Sequence, residues 1–175
     1  RSREERRRHA GADLPTGVRS TCLALWRLSD PGNVGTLLRT ADAFGACVAL
    51  SEGCADPLSP KALRASVGAI FRVPLIGWAD APGRRLALVA HGGDPLTDVD
   101  LAPPVAFLLG AERAGLPDEL VTTSHKASIS LPGDAESLNV AAAAAALARL
   151  RSTDPSGVAA AEKALTALGA VNEKQ

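Results

Sequence analysis

The residues predict an α/β domain whose mainly parallel sheet is covered by helices on both faces. Three observations carry this. Short, near-continuous apolar runs recur along the chain, as expected of strands buried on both sides. Stretches with helical spacing alternate with them, the mark of strand–helix–strand units. Three polar, glycine-bearing loops (residues 30–39, 110–116 and 132–139) each follow one of the strands.

The first strand is residues 21–26, with Cys22, Leu23, Ala24 and Leu25 in sequence. A turn-rich stretch, Ser29-Asp30-Pro31-Gly32-Asn33, leads into a helix over residues 34–44, with Asn33 as the expected N-cap. Leu37, Leu38, Ala41 and Phe44 form its buried stripe. Arg39 follows Gly35 by four residues, so the helix surface beside the guanidinium is bare and leaves room for a ligand. Taken alone, an arginine here also reads as an ordinary exposed helix residue. Residues 46–50 form a second strand, and residues 59–69 a second helix entered through Pro60. Extended chain resumes at Phe71-Arg72-Val73-Pro74. Further strands are expected at 85–90, 105–109 and 127–131, with a loop at His91-Gly92-Gly93-Asp94 and a short helix at 118–123. After Pro132 and Gly133, Ser137 suits the N-cap of a buried helix that carries six consecutive alanines, 141–146. Other backbone can approach that face closely. A last small helix covers residues 155–168.

The 175 residues suit one domain, with residues 21–152 as its body, a basic N-terminal segment at 1–20 and a C-terminal helix and tail at 153–175. Basic and acidic residues balance at 19 each, so a polyanion must be recognised by a local patch rather than a global field. Residues 1–8 hold five arginines and two glutamates, read as a solvated helix or linker, as an RNA-phosphate contact, or as the joint to an RNA-binding domain further upstream. With two tryptophans, three phenylalanines and no tyrosine, a base-stacking surface of the single-strand-binding kind is disfavoured. Cys22, Cys47 and Cys54 form no CxxC and no metal-ligand spacing; reduced, mostly buried thiols in a cytoplasmic protein are expected, with no metal. Neither a membrane-spanning run nor a signal-peptide pattern is present.

Dinucleotide and P-loop fingerprints are absent, as is a GxSxG nucleophile elbow. The three loops instead resemble the motifs of the SpoU/TrmH family of SPOUT RNA ribose methyltransferases. Residues 30–41 (DPGNVGTLLRTA) are similar to the first motif, 109–116 (LGAERAGL) to the second, and 137–141 (SLNVA) to the third. Residues 61–69 (KALRASVGA) with 71–74 (FRVP) resemble a further stretch typical of the family. The resemblance covers residues 21–150 in order and spacing. One departure is a loop between Pro132 and Ser137 that is about two residues shorter than is usual, placed beside the expected adenosyl group.

The resemblance implies a SPOUT fold with a C-terminal deep trefoil knot, an exception to the rule that chains do not thread. It gives the alanine run a reason, since a threaded helix needs a slim profile. It also implies a homodimer that binds S-adenosylmethionine and methylates an RNA ribose 2′-hydroxyl, in ribosomal RNA by preference or in transfer RNA. The alternative is a knotted RNA-binding or assembly module without activity. By the same resemblance Arg39, Asn33, Glu112, Ser137 and Asn139 are the catalytic group. Leu109, Gly110, Glu112 and Gly115 would hold the cofactor, together with Ile129, Leu131, Leu138 and Asn139. The family assigns the matching arginine as general base. A guanidinium ordinarily stays protonated, so stabilising the 2′-oxygen or anchoring phosphate stands equally for Arg39. Glu112 is expected to pair with Arg39 or to hold RNA.

Overall fold

β1 (Thr21–Leu25) is an interior strand of the sheet, and all five of its residues are buried. A computed structural model describes residues 17–128 together with 143, 146 and 147. Within them, β1 is followed by α1 (Pro31–Phe44), β2 (Cys47–Leu50), α2 (Pro60–Ser66), β3 (Leu75–Gly77) and β4 (Arg84–Val89). Then come β5 (Asp94–Pro95), β6 (Val105–Leu109), α3 (Asp118–Thr122) and β7 (His125–Ser128). The seven strands form one sheet in the order β3-β2-β1-β6-β4-β7-β5. Every pairing is parallel, which confirms the expected sheet type.

The alternation of side chains divides this sheet into two unlike faces. On one, Leu23, Leu25, Val48, Leu50, Phe107 and Leu109 pack against Val34, Leu37, Leu38 and Ala41 of α1. Ala143, Ala146 and Leu147, which are helical, join the same core, in keeping with the buried alanine-rich helix read from the sequence. The opposite face is lined by smaller residues: Cys22, Ala24, Cys47, Ala49, Ala106 and Leu108. Among the described residues its cover is Ile76, Trp78, Ala81 and Leu116. The expected second helical layer, the trefoil knot and the final helix at 155–168 lie outside the described residues.

Cys22 and Cys47 are register partners on β1 and β2. All three cysteines are free thiols. The hydrogen bond with Cys47, reinforced by burial, pushes the Cys22 thiol well above its usual range.

Two helices pack on each other through a glycine. A Cβ added to Gly35 would lie 2.5 Å from the Ala62 carbonyl oxygen and 2.6 Å from the Ala65 Cβ. The bare strip expected to leave room beside Arg39 is therefore occupied by the backbone of α2, not free for a ligand. The second helix also ends earlier than expected. It stops at Ser66, where Val67 takes a left-handed conformation, and a single 3₁₀ turn at Ala69–Phe71 follows.

Candidate active site

β1 and β6 are adjacent although about 80 residues of chain separate them, with Thr21 aligned to Val105 and Leu25 to Leu109. Their carboxyl ends therefore open side by side, and the loops that leave them converge. Chain order reverses across this pair, the place where open α/β sheets gather ligands. The Trp26 N–H donates to the Leu109 carbonyl at 2.8 Å, which locks the two exits together.

The loop after β6 is a tight return. Ala111 and Gly115 exchange backbone hydrogen bonds of 3.0 and 2.8 Å. Gly115 sits at φ +67, a conformation that favours glycine. Gly110 is needed for a different reason: a Cβ there would fall 2.2 Å from the Gly115 carbonyl carbon and 2.4 Å from the Leu116 nitrogen. Both obstacles are backbone, so no side-chain adjustment relieves them.

That return presents Glu112 to the start of α1. Its carboxylate accepts from the Ser29 N–H and hydroxyl (both 3.4 Å), the Asp30 N–H (3.3 Å) and the Asn33 side-chain amide (3.4 Å). A negative charge before a helix N-terminus is favoured by the unpaired amides there. Burial pushes the Glu112 pKa upward, but donation from its own amide, Asp30, Asn33 and Ser29 prevails and holds it below the usual carboxylate range.

Asp30, not Asn33, caps α1. Its carboxylate accepts from the Gly32 N–H at 3.2 Å, and Pro31 occupies the first helical position, where its fixed φ suits the helix. Lys61 of α2 reaches across to the same carboxylate at 2.6 Å. This hydrogen bond is the main cause holding Asp30 below its ordinary pKa. Asn33 is thereby released from capping to bond Glu112.

Arg39 lies elsewhere on α1. Six residues beyond Asn33, it is about 9 Å further along the axis and roughly 120° around it. It is exposed, and among the described residues its side chain has no hydrogen bond or ion pair. Within the chain Glu112 bonds the α1 amides, the Ser29 hydroxyl and Asn33, and does not pair with Arg39. Of the other anticipated residues, Leu109 and Gly110 are buried and Gly115 is exposed, with nothing among the described residues within 4 Å of where its Cβ would stand. Ile129, Leu131, Ser137, Leu138 and Asn139 lie outside the described residues. Sequence reasoning missed Ser29 and Lys61, although one stands in the turn-rich run and the other in the KALRASVGA stretch. Among the described residues no three His, Cys, Asp or Glu side chains cluster as metal ligands, and no helix is long and apolar enough to cross a membrane.

The profile of the SpoU rRNA Methylase family matches residues 20–149. The chain belongs to this family. It is 36% identical over 138 residues to the 23S rRNA (uridine(2479)-2′-O)-methyltransferase of Streptomyces viridochromogenes, covering 69% of this chain and 48% of that one. It is 37% identical over 131 residues to the 23S rRNA (guanosine(2553)-2′-O)-methyltransferase of Bacillus subtilis, covering 69% and 53%. The crystal structure of an AdoMet-bound rRNA methyltransferase from Sinorhizobium meliloti superposes with a TM-score of 0.69 at 35% identity, over 79% of this chain and 58% of that one. The chain thus spans about half the length of the curated relatives it matches. Both loops that meet in the Glu112 cluster lie within the residues matched to the family.

Proposed function

We propose that the protein transfers a methyl group from S-adenosylmethionine to a ribose 2′-hydroxyl of RNA, with ribosomal RNA as the favoured substrate. The observation that carries this reading is the hydrogen bonding of Glu112, in the second motif, to Ser29, Asp30 and Asn33 at the first. The described part of the cofactor cradle fits such a group: the return at Gly110 to Leu116 stands at the strand-order reversal, and among the described residues nothing lies within 4 Å of where a Gly115 Cβ would stand. Leu109, Gly110 and Gly115 are assigned to this cradle, with Ile129, Leu131, Leu138 and Asn139 completing it. S-adenosylmethionine, when bound, supplies a methyl group on a positive sulfur that becomes a neutral thioether.

The chain's own task is to hold the hydroxyl in line and to favour the charge that develops on its oxygen. Arg39 is assigned to that oxygen as an electrostatic stabiliser, because a guanidinium keeps its proton; the hydroxyl proton leaves to solvent. Glu112 acts as a positioning residue through Asn33 and the start of α1. Ser137 and Asn139 are assigned to shaping the ribose pocket by hydrogen bonding.

A homodimer is part of this proposal. Asn33 and Arg39 point off different sides of α1, and a second copy would bring an Arg39 to a cofactor held by the first. The trefoil knot and a domain body at 21–152 belong to the same proposal, supported by the family match over residues 20–149, and the basic segment at 1–20 is assigned to RNA phosphate. Free thiols and an RNA substrate support a cytoplasmic setting.

The test is transfer of labelled methyl from S-adenosylmethionine to in vitro transcribed 23S rRNA, with the product mapped by resistance to alkaline hydrolysis. Labelled ribose bears the proposal out. Absence of S-adenosylmethionine binding in calorimetry would instead favour an inactive RNA-binding module. Sedimentation at micromolar concentration reads the dimer.

A further inference from the structure

The fold brings together aromatic groups that the composition made scarce. Trp26 and Trp78, the only tryptophans in the chain, meet with ring centroids 5.1 Å apart at 62°. The Arg27 guanidinium lies over the Trp26 ring, 5.6 Å from its centroid. Arg27 is exposed, and among the described residues no carboxylate pairs with it.

Its backbone is what marks it. Arg27 sits at φ +49, in the left-handed region that favours glycine. The conformation is held on two sides. The Arg27 N–H donates to the Ser51 hydroxyl at 2.9 Å, and its stem lies against Gly53, where an added Cβ would stand 3.4 Å from the Arg27 Cγ. A turn that glycine would make at lower cost therefore carries a long cation in a fixed place. That place is the exit of β1: Trp26 is bonded to Leu109 on β6, and Ser29, two residues on, is bonded to Glu112.

We propose that Trp26, Arg27 and Trp78 form an RNA contact beside the site, taking an unpaired nucleotide that flanks the methylated ribose. The guanidinium, backed by Trp26, offers its outer face to the base and its N–H groups to the adjoining phosphate. This rests on the RNA-methylating reading given above. The competing role for Arg27 is to shield the tryptophan pair from water with its stem.

Arg27→Gly separates the two roles, because glycine suits φ +49 and relieves the backbone. The full 175-residue chain is assayed for retention of in vitro transcribed 23S rRNA across a salt series, for S-adenosylmethionine affinity by calorimetry, and for thermal midpoint. The expected result is a midpoint unchanged or raised, cofactor affinity unchanged, RNA Kd weakened about tenfold and a salt slope shallower by about one. RNA affinity within about twofold of the unaltered chain would overturn the proposal. Should stability fall as well, Trp78→Phe leaves Trp26 as the sole fluorophore. Quenching of it by a uridine 12-mer then supports the contact, and no quenching overturns it. RNA binding by the unaltered chain without methyl transfer would refute the catalytic reading and leave the contact standing. Methyl transfer with full RNA affinity in Arg27→Gly refutes the contact alone.

Discussion

The first turn of α1 and its middle, about two turns apart, are treated by the fold in opposite ways. At the start, Asp30 caps the helix and pairs with Lys61, while Glu112 gathers Ser29, Asp30 and Asn33. In the middle, Arg39 is exposed, and among the described residues its side chain has no hydrogen-bond or ion-pair partner. The contrast separates two jobs. On the function proposed above, the bonded groups would position the site, and the unbonded guanidinium would keep its hydrogen-bonding capacity for a substrate atom.

The sharpest way to break this comparison is Arg39→Ala. Methyl transfer should fall by about 10²- to 10³-fold, with S-adenosylmethionine affinity unchanged in calorimetry. Loss of cofactor affinity would erase the division of labour. Gly110→Ala should be the most damaging change at the fixed end. Its Cβ would stand 2.2 Å from Gly115 backbone, and urea unfolding should show a loss of about 1–3 kcal/mol as the return opens.

Glu112→Gln keeps the shape and removes the charge. Hydrogen bonds to charged acceptors are the stronger kind, so stability should drop by about 1 kcal/mol. A double-mutant cycle with Asn33→Ala should give a coupling of at least about 0.5 kcal/mol. Additive effects would show that the cluster does not act as a unit.

The smallest effect belongs to Lys61→Met. Its pair with Asp30 has side chains 59% and 38% exposed, so at neutral pH it should contribute less than about 1 kcal/mol and weaken with added salt. Asp30, chiefly through Lys61, and Glu112, through donors that prevail over its burial, are both held below their ordinary values. Each contributes stability that is present above the usual carboxylate range, near pH 4, and is lost as pH falls through the lower folded-state value. Urea midpoints measured between pH 7 and 3 should decline on the acid side, and Lys61→Met should make that decline shallower.

The strands at the heart of the sheet were legible in the residues. β6 spans the expected 105–109 and β1 ends one residue short of the expected 26, because strands buried on both faces must be apolar throughout. The margins were less so. β3 and β5 are three and two residues long and stand at the two edges of the sheet, where short pairing leaves little pattern. β7 begins at His125, two residues before the expected start, since its first positions are exposed and polar. At α1 the cap was misplaced by three residues: Asn33 and Asp30 are both good caps, and Pro31 at the first helical position decides for Asp30. Gly35 showed a small residue on the right stripe, yet whether a ligand or a helix fills the space beside it depends on where α2 packs.

By itself the sequence determined the alternating α/β class, the identity of the central strands and the residues of the motif loops, because each follows from local periodicity and turn chemistry. Tertiary structure decided which strands are neighbours. Setting β6 against β1 lets Glu112 bond Ser29 across 83 residues of chain, and placing β2 and β3 on the other side of β1 brings Trp78 to Trp26. No local pattern encodes such contacts, for they are fixed by how the whole sheet closes its core.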